Sequence, residues 1–193
     1  MPAADWTSLP PGLPVPIDDG GARHLAGAAL PDLALPATDG TDVCLARAGS
    51  RARTVVYAYP RTGRPGEANL VEDWDLIPGA RGCTPEACAF RDHHAELAAA
   101  GADVYGLSTQ DRPYQQEAAE RLQLPFALLS DADLQFTRAL KLPTFAAAGQ
   151  TLLKRLTLVI RDGHVEHVFY PVFPPDGHAQ EVLRWLTDHP VGG

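Results

Sequence analysis

The sequence predicts an α/β fold of three layers, in which a mixed central sheet is flanked by helices. Residues 54–59 form a near-continuous apolar run rich in β-branched and aromatic residues, which is typical of a buried central strand. Strand-like and helix-like segments alternate after this run, and a hairpin signal followed by an amphipathic segment closes the chain. This order describes one α/β domain with a mixed sheet, without an internal repeat or a second domain.

Composition excludes several classes of partner. The 193 residues are 45% hydrophobic and 21% charged, which suits one soluble domain with an extension. The 16 basic and 24 acidic residues give a net charge of −8 without a Lys/Arg cluster, so we expect neither nucleic acid nor an anionic membrane as partner. We find no apolar run of the roughly 20 residues that span a membrane, and no secretory signal. Three cysteines are unlike a secreted disulfide framework, and a cytoplasmic protein with a working dithiol is expected.

The N-terminal residues differ in composition from the rest. Residues 1–27 are rich in Pro, Gly and Ala, and we interpret them as an extended arm that precedes a domain at residues 28–190. The arm is expected to be ordered only if one of its larger apolar side chains docks on the domain: Trp6, Leu13 or Val15.

The domain is predicted to begin with a short β-hairpin within residues 30–45, around a turn at Asp39-Gly40. Cys44 alternates out of phase with the apolar residues of the second strand. A structural or incidental thiol is the expected role for Cys44, and a second resolving cysteine is the alternative.

A long connection, residues 61–82, follows the predicted central strand and Pro60. It is rich in Gly and Pro, and long connections without regular structure are usually functional or mobile. We expect Trp74, Leu76 and Ile77 to pack against the domain, so that the connection forms a lid or wall of a site.

The remaining elements follow in order. The patterns predict strands at 102–107 and 126–129, a hairpin of strands at 152–160 and 165–170 around Asp162-Gly163, and helices from Asp111 to Leu124, at 131–140 and at 176–186.

Two cysteines lie in the stretch most indicative of chemistry. Thr84-Pro85 is a helix-start signal, and the apolar spacing after it predicts an amphipathic helix that runs to Gly101. Cys83 would then lie at a helix N-terminus, where the dipole and free N–H groups favour a thiolate, and Arg81 adds a positive charge.

Cys88 follows Cys83 by five residues. On one helix this step puts the two Cα atoms about 140° and roughly 8–9 Å apart, whereas a disulfide usually needs them within about 7 Å. Pairing would require the helix start to unwind. Two buried helix cysteines without a redox role are the alternative from spacing alone.

The stretch reads Gly82-Cys83-Thr84-Pro85-Glu86-Ala87-Cys88-Ala89-Phe90-Arg91-Asp92. It resembles the active-site segment of the peroxiredoxin Q, or bacterioferritin-comigratory-protein, group of peroxiredoxins, and a looser similarity extends from about residue 28 to the C-terminus. The resemblance implies a thioredoxin-like fold, attack of Cys83 on a peroxide, and resolution of the resulting sulfenic acid by Cys88. It also implies a thioredoxin-like or other thiol reductant.

An arginine on a late strand faces the reactive cysteine in that family, and Arg155 is the matching position here. A cation that enters an apolar strand is unusual without a partner, so we predict a functional role for Arg155. The alternative is an arginine in solvent or paired with Glu166 or Asp162. For Arg91 we expect a structural ion pair.

One position departs from the family pattern. The family places a peroxide-binding threonine three residues before the cysteine, where this chain has Ala80, although Pro60 retains the proline after the strand. Our hypothesis is that Thr62 or Thr84 supplies the missing hydroxyl.

Four potential zinc ligands lie close together in sequence, Cys83, Cys88, His93 and His94, but their spacing is poor for zinc. No cofactor motif is present, and we expect neither a metal nor a cofactor. The sequence therefore predicts a thiol-dependent peroxidase, as a monomer or homodimer. A thiol–disulfide oxidoreductase and a non-catalytic dithiol sensor or binding protein are the alternatives.

Overall fold

The structure is a computed structural model, and it describes residues 5–192. Its strands are β1 (Ala34–Pro36), β2 (Asp42–Cys44), β3 (Arg53–Ala58), β4 (Ala102–Ser108), β5 (Leu128–Ser130), β6 (Thr144–Ala147), β7 (Gln150–Leu153), β8 (Leu156–Arg161) and β9 (His164–Phe169). Its α-helices are α1 (Cys83–Asp92), α2 (His94–Ala99), α3 (Arg112–Arg121), α4 (Gln135–Leu140) and α5 (His178–Asp188).

A five-stranded mixed sheet forms the centre, in the order β5-β4-β3-β8-β9. Strand β3 pairs in parallel with β4 and antiparallel with β8, and all of its residues are buried. A strand covered on both faces needs apolar side chains on both, which is why its sequence is a continuous apolar run. The predicted fold class is confirmed.

The two faces of the sheet carry separate hydrophobic cores. Val56 packs in one core with Phe136 of α4, whereas Tyr57 packs in the other with Phe90 of α1. Because successive side chains of a strand point to opposite faces, this alternation gives the three layers that the sequence predicts.

The structure corrects three predicted boundaries. The segment 152–160 is not one strand: β7 ends at Leu153 and belongs to a separate hairpin with β6, which the sequence analysis missed. The helix expected at 131–140 begins at Gln135, because the Asp131 carboxylate accepts hydrogen bonds from backbone N–H groups at the helix start. The helix expected from Thr84 to Gly101 is interrupted at His93 and forms α1 and α2.

The N-terminal arm is packed on the domain at both of its ends. Trp6 is buried, and Leu25 lies fully buried in the core that contains Phe136. Leu13 is half-buried and Val15 is exposed, so of the three candidate anchors Trp6 is the one that docks. The division into an arm of residues 1–27 and a domain of residues 28–190 stays a prediction.

Residues 61–82 also lie against the body of the protein. Trp74 is buried next to the β6-β7 hairpin and Ile77 is half-buried there, as predicted, but the expectation for Leu76 is wrong because its side chain is exposed. Within residues 5–192, none of the helices is long and apolar enough to cross a membrane.

Candidate active site

Cys83 is the first residue of α1 and is 3% exposed. Gly82 precedes it with a φ of 109°, a conformation that favours glycine. A Cβ at residue 82 would lie 2.4 Å from Pro175 Cγ and 2.8 Å from Leu9 Cδ2, so close packing also requires glycine here. The sulfur is thereby fixed at a buried helix start.

Arg155 reaches Cys83 from the two-residue link between β7 and β8. Its side chain is buried, and Nη2 donates hydrogen bonds to Cys83 Sγ at 3.2 Å and to the Gly79 carbonyl at 3.1 Å. The other terminal nitrogen, Nη1, donates to the carboxylate of Glu86. The predicted pair of Cys83 and Arg155 is thus in direct contact, and neither Glu166 nor Asp162 is the partner of Arg155.

Glu86 is the site residue that sequence reasoning missed. It lies one helical turn after Cys83 on α1, is fully buried, and forms an ion pair with Arg155. An acidic residue in the first turn of a helix is common because of the dipole, so its position alone did not distinguish it. The available signal was the combination of this acid with a cation that enters an apolar strand.

Burial raises the pKa of the Cys83 thiol above its ordinary value, and the nearby Arg155 guanidinium acts in the opposite direction. The Glu86 carboxylate raises the thiol pKa, and a backbone N–H at Arg61 lowers it. Arg81 was expected to add positive charge near Cys83, but its guanidinium stacks over Trp6 instead. Thiolate formation therefore depends mainly on Arg155.

The three positions predicted to support peroxide binding, Thr84, Thr62 and Pro60, have different surroundings. Thr84 is buried beside Cys83, and its hydroxyl has no hydrogen-bond partner among the described residues. The Thr62 hydroxyl donates to Gln110 Oε1 at 3.2 Å. Pro60 is buried two residues after the end of β3. A role for Thr62 or Thr84 as a replacement for the family threonine stays a prediction, and the buried Thr84 hydroxyl is the free one.

Cys88 lies on the same helix and is half-buried. Burial raises the pKa of its thiol, and Arg91 opposes this effect. Both cysteines are free thiols. Since both are helical, the Cα separation of roughly 8–9 Å applies, and a disulfide would require the first turns of α1 to open.

The other predicted residues lie outside this cluster. Arg91 pairs with Asp92 at 2.8 Å and donates to the Leu122 carbonyl, in agreement with a structural role. Cys44 is half-buried, and its thiol donates to Asp32. Across residues 5–192 there is no group of three or more His, Cys, Asp or Glu side chains arranged to hold a metal ion.

Comparisons with known proteins identify the family of this chain. The sequence model of the Redoxin family matches residues 25–183. The chain is 34% identical over 168 residues to peroxiredoxin Bcp of Escherichia coli, and this match covers 85% of this chain and 96% of that protein. It is also 34% identical over 161 residues to a chloroplastic peroxiredoxin Q of Oryza sativa, where the match covers 83% of this chain and 65% of the rice protein.

Solved structures give the same result. Peroxidoxin BcpB of Mycobacterium tuberculosis superposes with a TM-score of 0.68 at 30% identity, covering 85% of this chain and 97% of that one. The bacterioferritin comigratory protein of Xanthomonas campestris, described for its alkyl peroxide reduction activity, superposes with a TM-score of 0.66 at 26% identity, covering 86% and 99% of the two chains.

Proposed function

This chain belongs to the Redoxin family, in the group of peroxiredoxin Q and Bcp, and from that premise we propose that it is a thiol-dependent peroxidase with Cys83 as the attacking residue. The observation that carries the proposal is the 3.2 Å hydrogen bond from Arg155 Nη2 to the buried Cys83 Sγ. A cation held this close favours a thiolate, which is the nucleophilic form of cysteine.

In the first step the Cys83 thiolate attacks the terminal oxygen of a hydroperoxide. An S–O bond forms, the O–O bond breaks, and the sulfur gives up two electrons to become a sulfenic acid. The leaving oxygen takes up a proton and departs as water or an alcohol. Arg155 and the N–H at Arg61 are the donors beside the sulfur that stabilise the charge on that oxygen.

In the second step the Cys88 thiol attacks the sulfur of the Cys83 sulfenic acid, and the two form a disulfide while water leaves. This intramolecular pairing makes the enzyme an atypical two-cysteine peroxidase. A thioredoxin-like dithiol then restores both thiols by thiol–disulfide exchange. An alkyl hydroperoxide fits as substrate alongside hydrogen peroxide, given the activity named for the Xanthomonas relative.

The test is a titration of the reduced protein with one equivalent of hydrogen peroxide, followed by thiol counting and peptide mapping. We expect a Cys83–Cys88 disulfide within seconds. Cys88→Ser should stop at a Cys83 sulfenic acid that dimedone traps, and Cys83→Ser should not consume peroxide at a comparable rate.

Cys44→Ser is the matched control, because it removes a thiol outside the cluster and should react like the unmodified protein. Peroxide consumption by Cys83→Ser at the original rate would refute the assignment. A disulfide that forms stoichiometrically but is not recycled by any dithiol reductant would favour a redox sensor instead.

A further inference from the structure

The N-terminal arm crosses the backbone that leads into α1. Leu9 Cδ2 would lie 2.8 Å from a Cβ at Gly82, and Pro16 Cβ would lie 3.7 Å from a Cβ at Gly79. Both glycines lie shortly before Cys83 in the sequence. The arm therefore covers the chain directly before the proposed nucleophile.

The beginning of the arm is fixed at Arg81, whose side chain is 8% exposed. The indole of Trp6 lies 4.4 Å from the Arg81 guanidinium, and Arg81 Nη2 donates a hydrogen bond of 2.7 Å to the Asp5 carbonyl. A cation held over an indole away from water is bound more strongly than one at an exposed site. Trp6 also packs on Gly63, where a Cβ would lie 2.9 Å from the ring. Trp6 thus contacts both ends of the connection at residues 61–82.

Local hydrogen bonds shape this part of the arm. The Asp5 carboxylate accepts hydrogen bonds from the Thr7 N–H at 2.9 Å, from the Thr7 hydroxyl at 2.6 Å and from the Ser8 hydroxyl at 2.7 Å. An aspartate that binds the backbone two residues on holds the chain in a turn. The turn orders the arm before it meets Arg81, so less conformational entropy is lost when the contact forms.

The proposed Cys83–Cys88 disulfide requires this region to move. Cα atoms five residues apart on a helix are separated by roughly 8–9 Å, and a disulfide needs about 7 Å or less, so the first turn of α1 must open. Opening displaces the backbone at Gly82, on which Leu9 packs, and breaks the hydrogen bond from the Glu86 N–H to the Gly82 carbonyl. A contact that exists only in the closed state favours that state. The arm therefore opposes the opening.

We propose that residues 5–16 form a strap that holds α1 closed, and that Trp6 and Leu9 are positioning residues that slow disulfide formation without affecting the attack on peroxide. The inference rests on the proposed peroxidase function and deepens it, because it concerns the regulation of the same site. The strap precedes residue 25, where the match to the Redoxin family begins. The delay is therefore a property of this chain's arm, outside the part that the family model matches.

A slow second step gives the sulfenic acid time to meet another peroxide. In that competing reaction the Cys83 sulfur attacks a second hydrogen peroxide, an S–O bond forms, the O–O bond breaks and water leaves. The sulfur gives up two more electrons and becomes a sulfinic acid, which a thiol reductant does not restore. The strap would thus set the peroxide concentration above which the enzyme is inactivated.

The test compares Leu9→Ala with Leu25→Ala, which removes the same atoms from the other end of the arm. Leu25 lies in the core with Phe136, whereas Cys83 belongs to the core with Phe90 on the opposite face of the sheet. Rapid mixing of the reduced protein with hydrogen peroxide, followed by quenching and mass spectrometry, gives the rates of sulfenic acid and of disulfide formation. We expect Leu9→Ala to accelerate disulfide formation by about threefold or more, the scale of losing part of a leucine contact. Its rate of sulfenic acid formation should be unchanged.

Two further measurements separate the strap from a general loss of stability. Trp6→Leu, which removes the contact with Arg81, should accelerate disulfide formation in the same way. The yield of Cys83 sulfinic acid at a fixed excess of hydrogen peroxide should fall in both strap variants and stay unchanged in Leu25→Ala.

Two results would overturn the strap while the proposed function stands: disulfide formation at the original rate in both strap variants, or equal acceleration in Leu25→Ala. If Cys83 of the unmodified protein did not react with hydrogen peroxide, the proposed function would fail and the strap with it.

Discussion

At the scale of single residues, Arg155 connects the proposed nucleophile to a buried acid. It contacts Cys83 and Glu86 while all three side chains are removed from water. A buried guanidinium requires compensating negative charge, and Glu86 supplies it through the ion pair, whereas the Cys83 thiolate supplies it only when ionised. The ion pair keeps Arg155 in position, but the same carboxylate raises the pKa of the Cys83 thiol.

This balance predicts that loss of Glu86 and loss of Arg155 shift the pKa of Cys83 in opposite directions. Glu86→Gln should lower that pKa, because a nearby negative charge is lost. Glu86→Gln/Arg155→Gln should raise it relative to Glu86→Gln, because the stronger opposing influence of Arg155 is also lost. Thiolate absorbance near 240 nm measures the pKa in a background of Cys44→Ser/Cys88→Ser.

Both variants lack the buried carboxylate, so they differ only in the charge at residue 155. A rise of at least about one pKa unit in the double variant would lower the rate of peroxide reduction at pH 7 about tenfold, since the thiolate is the reactive form. The pH–rate curve should move to higher pH by the same amount. Equal thiol pKa values in the two variants would show that Arg155 does not support the thiolate.

At the scale of secondary structure, α1 carries both cysteines in an arrangement that cannot form a disulfide. The first turn is held by the hydrogen bond from the Glu86 N–H to the Gly82 carbonyl, and by Pro175 and Leu9 packed against Gly82. Bringing two Cα atoms from roughly 8–9 Å to within about 7 Å breaks helical hydrogen bonds in between. The proposed mechanism therefore requires that α1 is closed in the reduced protein and opens when the Cys83–Cys88 disulfide forms.

We predict that oxidation by one equivalent of hydrogen peroxide accelerates amide hydrogen exchange at residues 86–88 by at least about tenfold, because local opening removes their protection. Exchange in α3, which holds neither cysteine, serves as the internal reference. Cys88→Ser should keep its protection after the same treatment, since its Cys83 is oxidised without a partner. A disulfide that forms with unchanged exchange would mean that α1 does not unwind.

At the scale of the whole molecule, features that follow from burial could be predicted from the sequence, whereas features that depend on contacts between distant residues could not. Strand β3 was recognisable because a strand covered on both faces must be apolar throughout. The β6-β7 hairpin was not, because its turn has Ala148 at a positive φ instead of a residue that favours it. The expected contact between Cys83 and Arg155 came from a family resemblance. Glu86 was missed because its proximity to Arg155 arises only on folding.

The arm shows how a boundary set by composition can differ from the folded unit. Residues 1–27 resemble a linker in composition, yet Ala22 and Leu25 belong to the core beside the central sheet. Trp6 contributes a second contact at the other end, under the guanidinium of Arg81. Arm and domain are therefore expected to unfold together.

This view predicts that Leu25→Ala lowers the free energy of unfolding by about 2–4 kcal/mol, the usual cost of emptying a buried leucine site. Leu25 is fully buried, whereas Val15, from the same arm, is 61% exposed. Val15→Ala should therefore change stability by no more than about 0.5 kcal/mol. Urea denaturation monitored by circular dichroism measures both values, with a single transition expected for each variant because the arm and sheet share one core. A Leu25→Ala effect as small as that of Val15→Ala would instead make the arm an appendage of a domain that is complete without it.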